Sequence, residues 1–186
     1  MNDLALKPLA ILIPANPSSY PLDSEERDRA KVHEHKMHAN EHGFVYWNVP
    51  ASGDHHQWIG DVKTVYFVQP SDEAPYKCDM VIEKGEVVQV EHFKTKNDMR
   101  ARLPIEEVDY LYGTRKKVWE LESKGGYDWK SWSGAGKWGF IFFKIRNIRQ
   151  LKQRRNIEDF KRAFGMPNKR VERCRKYVIV FDDFFE

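Results

Sequence analysis

The sequence predicts a single α+β domain over residues 1–186, built on a curled, mostly antiparallel sheet or small barrel. Short segments spread along the chain have the alternation and the β-branched and aromatic content of strands. Few helical segments separate them, which disfavours a parallel sheet built from βαβ units. No glycine-rich phosphate loop of the dinucleotide or Walker type follows a strand, so the chain carries no nucleotide-hydrolysing machinery of those kinds.

The strand segments come in two groups that are separated by a region of mixed signals over 94–117. An early group is predicted at 9–13, 43–49, 62–68, 76–83 and 86–93, with Lys84-Gly85 as the turn between the last two. A late group is predicted at 118–121, 138–148 and 177–181, of which 138–148 is the most apolar. This spacing suits a meandering sheet that closes on itself.

Two helices and one long loop complete the predicted organisation. A polar surface helix is expected over 23–41, capped by Asp23 or Ser24 and ending before Gly43. A second helix is expected over 157–164, capped by Asn156 and ended by Gly165, with its apolar residues on one face. A loop rich in Gly and Trp is expected over 124–137, and its length favours a functional role.

Composition places the chain among intracellular folded domains. The hydrophobic fraction is 41% and the aromatic fraction is 13%, with six Trp, which is too apolar for a disordered chain. No apolar run reaches the roughly 18 residues of a membrane span, and the start lacks a signal peptide. Cys78 and Cys174 make no disulfide framework, so two buried thiols and a cytoplasmic location are expected.

Positive charge is concentrated near the end of the chain. Residues 144–176 hold thirteen Lys and Arg against three acidic residues, a net +10, whereas the whole chain is only +3 and the remainder therefore carries −7. A basic region on an otherwise acidic protein predicts a polyanionic partner, with a solvated basic surface as the alternative. The residues predicted to hold phosphates are Arg146, Arg149, Lys152, Arg154, Arg155, Lys169, Arg170 and Arg173.

The order of short motifs along the chain resembles a known family. The motifs are PANP at 14–17, YWNV at 46–49, GD at 60–61, VYFV at 65–68, YKCDMV at 76–81, FKIRNI at 143–148, IEDF at 157–160 and RKYV at 175–178. Their order and spacing resemble an EVE-type domain of the PUA-like superfamily, as found at the N-terminus of McrB-like restriction proteins, with YTH domains as distant relatives. The resemblance implies a small twisted β-barrel flanked by helices, with 23–41 and 124–137 as insertions, and binding of modified or flipped bases in nucleic acid.

A flipped base needs aromatic faces to stack on and polar groups at its edge. By the resemblance, such a slot would lie between the first turn and the ends of the strands that carry Trp47 and Val65. Asn16 would contact the polar edge of the base. The aromatic candidates are Tyr20, Trp47 and Trp58, with Trp129 or Trp132 as a lid. For Trp47, which lies on an apolar strand face, core packing is the alternative.

The leading hypothesis is therefore a non-enzymatic nucleic-acid-binding module without a cofactor, which would act as an adaptor for an effector protein on another chain. A metal-dependent nuclease is the first alternative, because Asp109 and the Glu122-Ser123-Lys124 run form a loose carboxylate pattern that could hold Mg²⁺. A protein-interaction domain is the second. The histidines at 33, 35, 38, 42, 55 and 56 lack a carboxylate or Cys that would complete a metal site, and a polar surface is the preferred interpretation.

Overall fold

The computed structural model describes residues 7–14, 39–50, 59–69, 79–95, 98, 101–102, 139–174 and 177–184, which contain one six-stranded mixed sheet. Its strands are β1 (Leu9–Pro14), β2 (Val45–Pro50), β3 (Val62–Gln69), β4 (Met80–Phe93), β5 (Phe140–Asn156) and β6 (Val178–Phe181). The spatial order is β2-β5-β4-β3-β1-β6. Neighbouring strands are antiparallel except β1 and β3, which are parallel.

The sheet is strongly curled about its central strands. The rings of Trp47 on β2 and Phe67 on β3 lie 5.0 Å apart, although β5 and β4 separate those two strands in the sheet. Three strand spacings in a flat sheet would hold them about 14 Å apart. The curl needs Gly85 in the middle of β4, because a methyl group there would lie 2.6 Å from Cγ2 of Ile145. The side chains of β3 and β5 thus close over β4 at a position without a side chain.

The two faces of the sheet carry separate hydrophobic clusters. The concave face buries Ile11, Trp47, Phe67 and Phe143 together with their neighbours, so the sheet packs largely against itself. The opposite face buries a second cluster, and there the segment that follows β5 supplies the cover. The residues of this convex cluster that come from the covering segment are Ile157, Phe160, Val171 and Cys174. The region predicted to carry phosphate-binding residues is therefore anchored to the sheet.

Most predicted strands are found close to their predicted positions, but the predicted closed barrel is not. In the part of the chain that the structure describes, β2 and β6 do not pair with each other, and the sheet is open. The reason lies at β6, whose outer edge is taken by residues 161–163: the amide of Phe181 donates to Lys161 O, and the amide of Ala163 donates to Ile179 O. The described chain is mostly β and has few helical residues.

Two predicted boundaries within the sheet were wrong. The turn predicted at Lys84-Gly85 does not exist, because Gly85 pairs with Val65 inside the continuous strand β4. The strand predicted over 138–148 is longer, since β5 continues through the basic residues to Asn156 and pairs with β4 as far as Met80. Both errors arise because backbone pairing with a neighbouring strand overrides local turn and charge signals.

The helix predicted over 157–164 is also wrong. Asn156 caps a helix as predicted, since its Oδ1 accepts a hydrogen bond from the amide of Glu158 at 2.9 Å. The helix that follows is only the short 3-10 helix Ile157–Asp159. The apolar residues are buried as predicted, although on opposite faces: Phe160 joins the convex cluster and Ala163 the concave one. An extended chain explains this split, because alternate residues of an extended segment point to opposite faces.

The end of the predicted polar helix is confirmed. Residues 39–42 are helical, and Gly43 follows with a positive φ of 85°, the conformation that commonly ends a helix. The earlier part of that helix, the strand predicted at 118–121 and the loop predicted at 124–137 lie outside the described residues. No helix within the described ranges is long and apolar enough to cross a membrane.

Candidate nucleic-acid interface

The second half of β5 exposes a run of cations, and residues 146–154 are called the β5 basic tract below. Its burial has a period of three rather than two: only Ile148 and Leu151 are buried, and each is preceded by two exposed residues. The exposed pairs combine a cation with an amide, as Arg146-Asn147, Arg149-Gln150 and Lys152-Gln153, and Arg154 ends the run. A regular strand alternates with period two, so this pattern needs interruptions in the ladder.

The first interruption is a bulge at Asn147. Lys84 of β4 faces Arg149, whereas Glu86 faces Arg146, so β5 has one more residue than β4 between these pairs. Asn147 takes up the extra residue with a positive φ of 52°, a conformation that Asn tolerates better than most residues. The bulge lets Arg146 and Asn147 both reach solvent while Ile148 returns to the concave core.

Arg146 and Asn147 meet Glu86 on β4. Nε of Arg146 donates to Oε2 of Glu86 at 2.9 Å, and both side chains are 54% exposed. Hydrogen bonds from Asn147 and then Arg146 lower the pKa of Glu86, burial opposes them, and the charges of Arg146 and Arg149 add to the lowering. Glu86 is therefore the acidic neighbour that partly neutralises this end of the tract.

The second interruption is larger and lies at the other end of the tract. Glu83 of β4 faces Gln150, whereas Val81 faces Arg155, so four residues of β5 lie opposite Ile82 alone. Leu151 turns into the convex core, and Lys152, Gln153 and Arg154 are exposed in succession. Wide bulges of this kind redirect side chains outward. Neither Lys152 nor Arg154 forms an ion pair with any residue that the structure describes.

The other predicted phosphate ligands fall into different surroundings. The guanidinium of Arg155 lies 4.2 Å from the ring centroid of Phe184 and is partly buried, so it packs the chain end onto the convex face. Lys169 Nζ lies 3.4 Å from Oε1 of Glu172. Arg170 and Arg173 are exposed and make no ion pair within the described ranges. The structure thus separates cations with contacts inside the described chain from exposed cations that form no ion pair with the described residues.

Sequence reasoning missed Lys161, which forms an antiparallel bridge with Arg170. Residues that face each other across such a bridge hold their side chains close together, and equal charges there are destabilising. The signal in the sequence would have been the run Gly165-Met166-Pro167-Asn168, whose residue types favour a turn between two extended segments. The helix predicted for this region concealed that pairing.

Of the predicted base-binding residues, the structure describes only Trp47. Its side chain is 6% exposed, belongs to the concave core, and meets Phe67 edge to face. This burial matches the core-packing alternative for Trp47, and its base-binding role stays a prediction. The remaining candidates, namely Asn16, Tyr20, Trp58, Trp129 and Trp132, lie outside the described residues.

The described residues provide no candidate site for the nuclease hypothesis or for a metal site built from the histidines. Asp109 and the run 122–124 of the nuclease hypothesis fall outside it, as do all the histidines named above except the exposed His42, which lies 3.8 Å from Glu41. No group of three or more potential metal ligands occurs among the described residues. Cys174 is a buried thiol that donates to Leu12 O at 3.4 Å, and burial raises its pKa to about 12, which makes it unreactive.

Comparison with known proteins adds no family. No family model, no curated protein and no solved structure matches the chain. The resemblance to EVE-type domains therefore stays a prediction, and the case for function depends on the geometry described above.

Proposed function

We propose that this protein is a nucleic-acid-binding module that holds the phosphate backbone along the β5 basic tract. The observation that carries the proposal is the period-three pattern of the tract, in which two bulges bring every cation from Arg146 to Arg154 to the surface. Half or more of the hydrogen bonds in protein–DNA complexes go to phosphates and sugars, from Arg, Lys, Asn and Gln among others. The tract supplies these residue types in adjacent pairs.

The dimensions of the tract fit an extended polyanion better than a small anion. Residues 146–154 lie opposite residues 82–86 of β4, a distance along the sheet of about 13 Å, which matches the rise of about four nucleotides in one strand of a duplex. The tract contains no aromatic side chain on which a base could stack. Contacts along it would therefore position the nucleic acid without reading its sequence.

Base recognition, in this proposal, belongs to a PUA-like pocket at the concave side of the sheet. The pocket is proposed there because the curl of the open sheet brings Trp47 on β2 into contact with Phe67 on β3. Trp47, Asn16, Tyr20 and Trp58 would surround a modified or flipped base, and Trp129 or Trp132 would cover it. The protein would act without catalysis, as the reader for an effector on another chain.

The test is a titration with short DNA and RNA, single- and double-stranded, with and without methylated bases, at several salt concentrations. We expect affinity to fall as salt rises. The double variant Lys152→Gln/Arg154→Gln should reduce the log–log salt slope by about 1.4 to 1.8, since each lost phosphate contact removes about 0.7 to 0.9. Lys63→Gln, which removes an exposed lysine of β3, is the matched control and should leave the slope unchanged.

Equal slopes for the double variant and the control would contradict the assignment of the tract. No binding of any of these nucleic acids at low salt would reject the proposed function altogether. A preference for one modified base that disappears in Trp58→Ala or Trp132→Ala would support the pocket, whereas binding without base preference would leave the tract as the whole interface.

A further inference from the structure

Residues 160–171 form a hairpin outside the β5 basic tract, and it is called the bridged hairpin below. The amide of Val171 donates to Phe160 O at 3.0 Å, and the amide of Arg162 donates to Lys169 O at 2.8 Å. Arg162 also bridges to Val180 of β6, so the hairpin continues the sheet beyond its last strand. Its stem is thereby hydrogen-bonded to the sheet on one side and to its own returning segment on the other.

The tip of the bridged hairpin is short and apolar. Met166 is 57% exposed and is followed by the exposed Pro167. A single exposed methionine is not unusual on a protein surface. Here, however, the two residues are bracketed by Gly165 and Asn168, both in the left-handed conformation, with φ of 83° and 66°. The backbone is thus bent on each side of the Met166-Pro167 pair.

The base of the tip is anchored in the core. Ala163 is buried in the concave cluster, and Phe164 packs against the same cluster. The amide of Asn168 closes the loop by donating to Arg162 O at 2.9 Å. Met166 therefore projects from a fixed support.

The stem places positive charge beside the apolar tip. Lys161 and Arg170 face each other across a bridge, and both are exposed. Equal charges opposite each other cost stability unless an anion lies between or near them. Neither side chain forms an ion pair with the described part of the chain. The arrangement is complementary to a ligand that has anionic edges and an apolar interior.

We propose that the bridged hairpin is a wedge that inserts Met166 between stacked bases of a nucleic-acid duplex while Lys161 and Arg170 hold the adjacent phosphates. Apolar side chains such as Met and Pro act in this way in architectural DNA-binding proteins, where they unstack a base step and kink the duplex. A single strand is a poorer fit, because proteins that bind single strands use aromatic stacking surfaces, which this tip lacks. The inference rests on the proposed function and specifies a duplex as its ligand.

The test uses the full chain and a short DNA duplex that carries a fluorescent adenine analogue whose emission rises when it is unstacked. Fluorescence anisotropy measures binding. The analogue is placed at each base step in turn, and a rise in its emission shows that Met166 has unstacked that step. We expect the wild type to raise emission at one or two neighbouring steps. Met166→Ala should lose most of this rise and still bind, whereas Met166→Leu should retain it, since leucine also serves as a wedge.

Val88→Ala is the matched control, because Val88 on β4 is the other large apolar side chain that is exposed within the described residues, at 45%. It should leave emission and anisotropy as in the wild type. Lys161→Gln should reduce the salt slope of duplex binding by about 0.9, the contribution of one phosphate contact.

The failures of the two proposals are distinguishable. Duplex binding without a rise in emission at any step would overturn the wedge and leave the proposed function standing. The wedge would also be overturned if Met166→Ala raised emission as the wild type does, which is the result expected if Met166 serves a protein partner. Absence of duplex binding at low salt would overturn the wedge directly, and binding of single strands alone would leave the β5 basic tract as the interface.

Discussion

The two halves of β5 show how one strand can serve both the core and the surface. Residues 140–145 pair with β2 on one side and β4 on the other, and Ile141, Phe142 and Phe143 among them are buried. Residues 146–156 pair with β4 alone in the described chain, and their exposed side chains are mainly cations and amides. The first half contributes mainly to the core, whereas the second half adds an exposed positive surface and only Ile148 and Leu151 to the core.

The difference between the halves is produced by the ladder as well as by composition. In the first half, Ile145 and Phe143 point to the concave core in regular alternation. In the second half, the bulges at Asn147 and opposite Ile82 break the alternation, so that two or three successive residues face solvent. A strand that only had to complete the sheet would have no need of either bulge, and bulges are features that proteins use to redirect side chains.

The largest expected effect is a loss of stability when a buried residue of the first half of β5 is replaced. Phe143→Ala removes a fully buried ring from the concave cluster and should lower the free energy of unfolding by about 3–5 kcal/mol. Gln150→Ala, an exposed residue of the second half, should change it by no more than about 0.5 kcal/mol. Urea denaturation measures both. Similar losses for the two variants would show that the exposed side chains of the second half contribute as much to stability as the buried rings of the first half.

The bulge at Asn147 should have the next largest effect. Asn147→Ala places a side chain with no local hydrogen bonds in the left-handed conformation, at a cost of about 1–2 kcal/mol. Asn147→Gly relieves that strain and loses only the bond to Glu86, so it should be the more stable of the two variants. Both are measured by urea denaturation. If the alanine variant proved as stable as the glycine variant, the backbone of the bulge would not be under the constraint inferred here.

Much of the sheet could be predicted from the sequence, because its core strands carry strong apolar patterns. The segments 9–13, 62–68 and 177–181 were found within a residue or two, since their apolar runs are buried on both faces. The part of β5 after Ile148 was missed as a strand. Its period of three matches neither a regular strand nor a helix, and only pairing with β4 makes it extended.

The residue types of the candidate site could be predicted from the sequence, but the contacts between those residues could not. Charge counting found the region of the tract, because thirteen cations in 33 residues are visible without a structure. Which cations have internal partners could not be predicted: Glu86 meets Arg146 from a strand 60 residues earlier. The pairing of Lys161 with Arg170, and with it the exposed tip at Met166, depended on a hairpin where a helix was expected.

The smallest and most discriminating change is Glu86→Gln, because it should alter stability and binding in opposite directions. The pKa of Glu86 is lowered from its ordinary value of 4.5 in the folded protein. Its ionised form therefore stabilises the fold above pH 4.5, and this contribution is lost as the pH falls through the lowered pKa. Both partners are half exposed, so the loss in the variant at neutral pH should be at most about 1 kcal/mol, less at high salt.

Binding should respond the other way, because Glu86→Gln releases Arg146 from its acidic neighbour and removes a negative charge from the edge of the tract. We expect tighter binding at neutral pH and a salt slope steeper by about 0.7 to 0.9, as one more cation becomes available to a phosphate. Urea denaturation tests the expected loss of stability, and titration of the same preparation with nucleic acid tests the expected gain in affinity. Below the pKa of Glu86 the wild type should approach the variant in stability and in affinity, since its carboxylate is then neutral. A variant that is less stable and also binds more weakly would mean that Glu86 acts by positioning Arg146 for the ligand. Arg146 would then be as much a part of the interface as Lys152 and Arg154 at the other end of the tract.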